Sequence, residues 1–234
     1  MCGIFALLNS DSRITTEIIE QAFKIGQPRG PEMSRMLNPC ISCSVGFHRL
    51  AINGLNEESN QPLCIEEYLL ICNGEIYNYQ ELYKLFPENT AKSLSDCEII
   101  IHMYKKYGIK YTLNNLDGVF AFILLDLNKN IAIVARDPYG VRPMYHIKHE
   151  YDRQINGPVT FHGFASELKQ LSVIKNFYIK NENINQCEIT QFTPGTYNKY
   201  SLASGKWSLI HNEKYSTHGF LEYNDLDIFD QIRY

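Results

Sequence analysis

The chain has 234 residues, of which 44% are hydrophobic and 21% are charged, and its formal net charge is −4. This composition is typical of a soluble globular protein and excludes a disordered chain, a collagen-like repeat and a disulfide-stapled miniprotein. Because the cationic residues are scattered, the sequence predicts no nucleic-acid partner. The longest apolar runs, such as 119–125, are far shorter than the ~20 residues of a membrane helix, so no membrane partner is expected.

The N-terminal segment and the cysteines indicate the compartment. An apolar stretch lies near the start of the chain, but it lacks the basic region and the cleavage pattern of a signal peptide. The seven cysteines lie mostly in apolar runs, as Cys72 does. We therefore expect reduced thiols in a cytoplasmic protein. Cys40 and Cys43 form a single C-x-x-C followed by His48, but a zinc site usually needs a second pair, so no metal site is predicted.

The predicted elements follow one another from residue 2 to about residue 211 without a linker or an internal repeat. Two predicted helices begin with the spacing of a capping box, Asn78 with Glu81 and Ser95 with Glu98, and Gly108 is expected to end the second. In chain order, the patterns predict strands at 2–8, 42–47, 68–72, 119–126, 130–136 and 159–165, helices at 16–25, 78–86 and 95–107, a polar surface hairpin at 149–158, and a hairpin over 195–211 that turns at Ala203–Gly205.

The strands at 119–126 and 130–136 indicate the fold class. Only three residues join them, which is too short for a crossover, so these strands must be antiparallel neighbours. An antiparallel strand with one wet face alternates polar and apolar residues, whereas residues 119–124 are all apolar. Both faces of the sheet must therefore be covered, which favours an α+β architecture of layered sheets between helices.

The pattern fades at about residue 212. Residues 213–234 are predicted to be a tail or the start of a linker, and the last stretch of the chain resembles the beginning of a helix without a cap. The patterned region 1–212 is therefore predicted to be one domain.

Cys2 is the most informative single residue. Removal of Met1 would leave a cysteine whose thiol and free α-amino group belong to the same residue. An α-amino group titrates near ~7.7–8.0 and a thiol near ~8.5, so the amine can accept the thiol proton at neutral pH. Taken alone, a buried cysteine in a first strand is the commoner interpretation of this position.

Nine short motifs in a fixed order change that interpretation. They lie at 1–8, 28–34, 48–52, 73–79, 95–100, 117–122, 135–145, 164–171 and 194–197. Together they resemble the class II glutamine amidotransferases, and specifically the glutaminase domain of glutamine-hydrolysing asparagine synthetases, over roughly residues 1–210. The resemblance implies the N-terminal-nucleophile hydrolase fold, a four-layer αββα sandwich of two antiparallel sheets between helices.

The resemblance also implies a site and roles for its residues. Cys2 would attack the side-chain amide of L-glutamine, giving a thioester and ammonia, and water would then release glutamate. Asn73 and Gly74, expected directly after the strand at 68–72, would form the oxyanion hole. Arg49 would clamp the α-carboxylate of the substrate, for which a planar fork is well suited. The remaining substrate-binding residues would be Asp96 and Glu75 for the ammonium group, and Leu50, Ala51, Ile52 and Asn53 through their backbones.

Simpler interpretations of these residues remain open at this point. An Asn-Gly pair is often only a turn, and an isolated arginine such as Arg49 usually lies on the surface. Asp96 would be favoured by the dipole of its helix without any substrate. His48 is expected to be a packing residue. Arg136, Asp137 and Arg142 are interpreted as a structural charged turn, or as part of the face that meets a synthetase domain.

The chain departs from the family in two places. Pro28 and Glu32 stand where the family usually has His and Asp, although Gly30 and Pro31 are kept. The Ser-Gly-Gly-Leu-Asp-Ser pyrophosphate loop of the ATP-using domain is absent from these residues. The chain itself is therefore expected to bind no cofactor, and ATP and Mg are expected only in a synthetase domain, in the same gene or on a partner chain.

Three alternatives stay open. The ammonia could serve another acceptor, phosphoribosyl pyrophosphate or fructose-6-phosphate. The chain could instead be a non-catalytic glutamine-binding module, although retention of Cys2, Arg49, Asn73, Gly74 and Asp96 together argues against this. The oligomeric state is not fixed by the sequence, and a homodimer is one of the open states.

Overall fold

A computed structural model describes residues 2–10, 13–52, 54–87, 90–153, 157–182 and 187–216. The strands are β1 (Gly3–Leu8), β2 (Met33–Cys40), β3 (Cys43–Arg49), β4 (Leu63–Ile65), β5 (Tyr68–Ile76), β6 (Gly118–Asp126), β7 (Ile131–Arg136), β8 (Tyr145–Arg153), β9 (Gly157–Ala165), β10 (Glu188–Gln191), β11 (Thr196–Ala203) and β12 (Lys206–Lys214). The helices are α1 (Thr16–Lys24), α2 (Tyr79–Tyr83), α3 (Ile99–Tyr107), α4 (Ile109–Asn115) and α5 (Leu168–Glu182), with 3-10 turns at Gln27–Arg29, Glu57–Ser59 and Asp96–Glu98.

These strands form two six-stranded sheets. The first sheet has the order β10-β8-β9-β1-β3-β2, and the second has the order β12-β11-β7-β6-β5-β4. Every strand pairing in both sheets is antiparallel. The ends of β1 and β3 lie side by side because Gly3 pairs with His48. This register brings the first residues of the chain next to the C-terminal end of β3.

Helices cover the outer face of each sheet. On the first sheet, Phe5 and Leu7 of β1 pack with Ile174 and Tyr178 of α5 in one buried cluster. On the second sheet, residues of β5 and β6 pack in the same way against α3 and α4. A third cluster lies between the sheets. The predicted four-layer αββα sandwich is therefore confirmed.

The apolar succession in β6 follows from this layering. Phe122 and Leu124 point toward the helices, while Ile123 and Leu125 point toward the first sheet. Ala121 pairs with Arg136, and the pairing continues to the short connection. The two strands are thus antiparallel neighbours, as predicted, and successive residues of β6 are buried on opposite faces of the sheet.

Neither predicted capping box forms, although α2 begins directly after Asn78 as predicted. The side chain of Asn78 bonds the carbonyl of Asn115 at 2.8 Å and the N–H of Asp117 at 3.0 Å, so it ties two loops together instead of capping α2. α2 is also shorter than predicted. Ser95 makes no capping bond, and a 3-10 turn precedes α3. α3 ends at Gly108, which has a positive φ of 78°, as expected.

The sequence analysis missed five elements: β2, β4, β10, α4 and α5. The predicted hairpins are confirmed, since Arg153 pairs with Gly157 across β8 and β9, and β11 pairs with β12. Residues 217–234, which include the predicted helix start at the end of the chain, lie outside the described residues. No helix in the described part of the chain is both long enough and apolar enough to cross a membrane.

Candidate active site

A pocket opens where the start of β1, the end of β3 and the middle of β5 meet. Of the predicted site residues, it is lined by Cys2, Arg49, Leu50, Ile52, Asn73, Gly74, Glu75 and Asp96. Ala51 follows Leu50 in the chain but does not line the pocket, and Asn53 lies outside the described residues. The fold therefore brings together residues that no sequence spacing relates to one another.

The thiol of Cys2 lies against the backbone of Leu50. Its Sγ is 3.4 Å from the Leu50 nitrogen and 3.4 Å from the Leu50 carbonyl oxygen. The Nε of Arg29 donates to the carbonyl oxygen of Cys2 at 2.9 Å, which fixes the backbone at the start of β1. Burial raises the pKa of the Cys2 thiol, and the hydrogen bond with Leu50 opposes this only in part. The thiol is thus protonated at neutral pH, and its use as a nucleophile requires a base.

The loop at 28–32 packs tightly on the end of β3. A Cβ on Gly30 would lie 2.4 Å from both the carbonyl carbon and the carbonyl oxygen of His48, so only glycine fits there. Glu32, one of the two departures from the family, accepts the N–H of Ala51 at 2.9 Å. His48 is buried and bonds Ser34 and the carbonyl of Phe23, which confirms its predicted packing role.

Asn73 and Gly74 lie inside β5 and not in a loop after a strand, which corrects the sequence prediction. An Asn-Gly pair favours turns, so the pattern indicated that the strand ends at Cys72. The pairing with β6 overrides this local preference, because the ladder continues through Gly74 opposite Phe120 as far as Ile76 opposite Gly118. A Cβ on Gly74 would lie 2.7 Å from the carbonyl oxygen of Val119.

One edge of β5 is open beside Gly74. β4 pairs only with residues 68–70 of β5. Successive residues of a strand direct their N–H and C=O groups to opposite edges. On the far side of β6, the carbonyl oxygen of Phe120, which faces Gly74, accepts the N–H of Asp137 at 2.7 Å, and the N–H of Phe120 donates to Asp137 Oδ2 at 3.3 Å. The main-chain groups of Gly74 therefore point away from β6. The N–H of Gly74 therefore faces the open edge, where the pocket lies.

The side chain of Asn73 adds a second free donor. It is 1% exposed, and its Nδ2 has no hydrogen-bond partner among the described residues. A buried donor without an acceptor is rare and costly, and such groups are characteristic of functional sites. The Asn73 amide and the Gly74 N–H are thus two adjacent donors in the same pocket as the thiol of Cys2.

Two carboxylates lie at the 3-10 turn side of the pocket. Asp96 is 5% exposed, and its Oδ2 accepts the N–H of Ile76 at 2.6 Å. Burial raises the pKa of Asp96, the Ile76 N–H opposes this, and the nearby carboxylate of Glu75 raises it further. Two carboxylates that repel each other in a partly buried pocket are both stabilised when a cationic group binds between them.

Arg49 is a buried residue and not a surface arginine. Its guanidinium donates to the carbonyls of Gly54 and Asn56 and to the side-chain oxygen of Asn60, which hold it in one orientation at the end of β3. The pocket is therefore lined by two arginines, Arg49 and Arg142, and by the carboxylates of Glu75 and Asp96. This charge pattern complements a zwitterionic amino acid.

The sequence analysis missed several residues of the pocket. Asp137 accepts the N–H groups of Tyr139, Val141 and Arg142, which confirms the structural turn. Arg142 also lines the pocket, which the sequence analysis did not predict. The other missed lining residues are Phe47, Ser59, Gln61, Cys72, Ser95 and Cys97. The adjacency of Cys72 to Asn73 and of Ser95 and Cys97 to Asp96 was the only available signal.

Comparisons with known proteins identify the family of the chain. The glutamine amidotransferase domain family matches residues 1–221. The asparagine synthetase (glutamine-hydrolysing) of Gallus gallus is 38% identical over 212 residues, which are 88% of this chain and 35% of that protein. The Homo sapiens protein of the same name is 36% identical over 225 residues, covering 92% and 36%. The chain thus spans about a third of the length of these curated relatives.

Solved structures show the same fold. The glutamine phosphoribosylpyrophosphate amidotransferase from B. subtilis superposes with a TM-score of 0.64 at 18% identity, over 92% of this chain and 50% of that one. A structure described as the allosteric regulatory enzyme of purine biosynthesis gives a TM-score of 0.68 at 20% identity, over 92% and 49%. This likeness identifies the N-terminal-nucleophile hydrolase fold.

Proposed function

Because the chain belongs to the glutamine amidotransferase domain family, we propose that it hydrolyses glutamine to glutamate and ammonia through Cys2. The observation that carries this proposal is the composition of one pocket. The thiol of Cys2, the free amide of Asn73, the N–H of Gly74, the guanidinium of Arg49 and the carboxylate of Asp96 all line or face it. Each corresponds to a group that hydrolysis of an amino-acid amide requires.

The pocket charges orient the substrate in this proposal. Arg49 binds the α-carboxylate, Asp96 and Glu75 receive the α-ammonium group, and the backbone of residues 50–53 completes the cradle. The side-chain amide of glutamine then points toward Cys2 and the donors of Asn73 and Gly74.

The chemical step needs a base, because the thiol pKa is raised by burial. After removal of Met1, the α-amino group of Cys2 takes the thiol proton as Sγ attacks the amide carbon. The oxyanion accepts hydrogen bonds from Asn73 Nδ2 and Gly74 N–H. Collapse breaks the C–N bond, the proton passes to the leaving nitrogen, and ammonia departs. Water then hydrolyses the thioester, giving glutamate and restoring the thiol.

The proposed use of the ammonia is the ATP-dependent conversion of aspartate to asparagine in a synthetase domain. This rests on the curated relatives, which are named glutamine-hydrolysing asparagine synthetases and which the chain matches over about a third of their length. ATP and Mg belong to that domain, and no residue of this chain is assigned to them.

The test combines mass spectrometry of the N-terminus with an assay of glutamate release from glutamine. We expect a mature chain that begins at Cys2, with activity that Cys2→Ala abolishes. Retention of Met1 in an active protein, or activity unchanged in Cys2→Ala, would contradict the proposal. Binding of glutamine without hydrolysis by a chain that begins at Cys2 would instead identify a non-catalytic module.

A second assay separates the acceptors. Together with the synthetase domain, aspartate and ATP, the chain is expected to support the formation of asparagine from glutamine nitrogen. Faster glutamine turnover with phosphoribosyl pyrophosphate or fructose-6-phosphate, and no asparagine, would assign the ammonia to another product.

A further inference from the structure

Gln61 occupies the open edge of β5 immediately before the two oxyanion donors. It is 5% exposed and lines the pocket. Its Oε1 accepts the N–H of Cys72 at 2.6 Å, and its Nε2 donates to the carbonyl oxygen of Cys72 at 3.1 Å. One side-chain amide thus makes both of the bonds that a neighbouring strand would make with this residue.

The edge of β5 is anchored on both sides of Gly74 but not at Gly74. Cys72 is held by Gln61, and the N–H of Ile76 is held by Asp96 Oδ2 at 2.6 Å. Gly74 lies between them and directs its N–H to the same edge. β4 could have covered this edge, but its pairing with β5 stops at Leu70. A side chain therefore replaces the strand at Cys72 and leaves the next N–H free for a ligand.

We propose that Gln61 is a positioning residue for the oxyanion donors: by holding Cys72, it fixes the backbone that carries the Asn73 amide and the Gly74 N–H. This inference rests on the proposed glutaminase function. Cys72 is 1% exposed, so water cannot replace the amide of Gln61 without opening the edge. Loss of the amide releases the backbone directly before the donors, and a hydrogen-bond donor acts on an oxyanion only at close and directed range.

The test compares two reactions of Cys2 in the Gln61→Met variant, which keeps the length of the side chain and removes both hydrogen bonds. Glutamine hydrolysis passes through an oxyanion, whereas alkylation of Cys2 by iodoacetamide is a displacement at carbon without one. We expect kcat to fall by ~10-fold to ~100-fold, which is less than the ~10²–10³ expected for loss of a donor itself. The KM for glutamine and the alkylation rate are expected to stay within about twofold of wild type, since Arg49, Asp96 and the thiol are untouched.

Gln80→Met is the matched control, because Gln80 is exposed and lies on α2 away from the pocket lining. It is expected to leave all three quantities unchanged. If Gln61→Met does not fold, Gln61→Asn makes the same comparison, since it keeps a polar amide on a side chain that is one carbon too short to hold both backbone groups of Cys72. We expect a lowered kcat with unchanged alkylation in that variant also.

Three results would overturn the inference. The first is a wild-type kcat in the folded Gln61 variant, and the second is an equal loss of hydrolysis and alkylation, which a general distortion of the site produces. The third is a change in KM alone, which would make Gln61 a substrate-binding residue. These results leave glutamine hydrolysis by the wild-type chain intact. A wild-type chain that begins at Cys2 and releases no glutamate would instead overturn the proposed function and this inference with it.

Discussion

The buried amide of Asn73 lowers the stability of the fold, and its proposed role as an oxyanion donor explains why it is there. Burial of a hydrogen-bond donor without an acceptor is unfavourable by ~1–3 kcal/mol. In the described part of the chain nothing offsets this cost at Asn73 Nδ2. The charge that develops on a tetrahedral intermediate would supply the missing acceptor, and only at the moment of reaction. Function and stability therefore make opposite demands on this residue.

Asn73→Ala separates these demands. We expect kcat for glutamine hydrolysis to fall by ~10²–10³ because one oxyanion donor is lost. The midpoint of thermal unfolding is expected to stay the same or to rise, since the deleted donor bonds no described residue. Steady-state kinetics and calorimetry on the same sample measure the two effects. A large loss of stability would show that the amide has a structural partner.

Gly74→Ala should have the opposite signature. The new Cβ would lie 2.7 Å from the carbonyl oxygen of Val119 and 2.8 Å from Cβ of Phe120, in the centre of the β5–β6 pairing. Because backbone atoms cannot move aside cheaply, we expect a loss of ~1–3 kcal/mol in the free energy of unfolding. Urea denaturation compared with Asn73→Ala measures this. Unchanged stability of Gly74→Ala would mean that the strands separate here more easily than their register indicates.

At the scale of elements, the sequence predicted the start of β5 but not where this strand ends. The apolar run at 68–72 predicted the strand, but the two residues after it have turn propensity, and only the pairing with β6 shows that the strand continues to Ile76. The role of Gln61 was not predictable, because it depends on how far β4 extends along β5. Arg49 and Asp96 were proposed from the resemblance, and only the fold brings them to one pocket.

The conformation of the segment 92–98 depends on the carboxylate of Glu98. Glu98 is fully buried and accepts the N–H groups of Lys92 and Ser93, each at 2.6 Å, and Nε2 of His102 lies 2.9 Å from it. The sequence predicted that Glu98 would bond Ser95 in a capping box. The carboxylate instead bonds a loop, two residues before the turn that carries Asp96, and so it stabilises one wall of the pocket.

Glu98→Gln tests this role through pH. Burial raises the pKa of Glu98, but the hydrogen bonds from His102, Ser93 and Lys92 together outweigh it, and the pKa lies below its ordinary value. A carboxyl with a lowered pKa in the folded state stabilises above its unfolded pKa of ~4.3, and this stabilisation is lost as pH falls through the folded value. We expect Glu98→Gln to lower the free energy of unfolding by ~1–3 kcal/mol near neutral pH, and by progressively less in acid.

Urea denaturation at several pH values measures that difference. Glu66→Gln is the control, because Glu66 is exposed and bonds Lys105 on the surface. This control is expected to change stability little at any pH. A difference between wild type and Glu98→Gln that does not vary with pH would show that Glu98 acts through packing and not through its charge.

For the molecule as a whole, the layered arrangement of sheets and helices was predictable from the sequence, but elements such as β2 and α5 were not. The apolar succession at 119–124 required two covered faces, and together with the predicted strands and helices it indicated sheets layered between helices, while the four-layer order came from the resemblance. β2 escaped detection because it is an edge strand that contains Pro39 and is half exposed, so it lacks both the apolar run and the alternation of an inner strand. α5 was missed although Leu171, Ile174 and Tyr178 are fully buried, because polar residues interrupt its apolar face.

A pair of histidines also lies on the first sheet, where His162 is buried and His146 is partly buried. Nε2 of His146 lies 3.1 Å from Nδ1 of His162, and the rings are stacked. Burial, followed by repulsion from His162 and Lys148, lowers the pKa of His146 to about 3. Burial and Lys148 lower the pKa of His162 to about 4. Both rings therefore stay neutral in the folded protein at pH values where the same histidines are already protonated in the unfolded chain.

The whole molecule should consequently lose stability in mild acid. Histidines in the unfolded chain bind protons near pH ~6.5. Between about pH 6.5 and about pH 4, the unfolded state therefore binds more protons than the folded state. The free energy of unfolding consequently falls as pH falls, by up to ~1.4 kcal/mol per pH unit for each histidine. We expect His162→Gln to reduce this slope, while His211→Gln, at an exposed position, leaves it unchanged. Urea denaturation between about pH 7 and about pH 5 measures the slopes. Equal slopes in wild type and His162→Gln would mean that the histidine pair is protonated without unfolding, and that the two sheets separate enough to admit the charge.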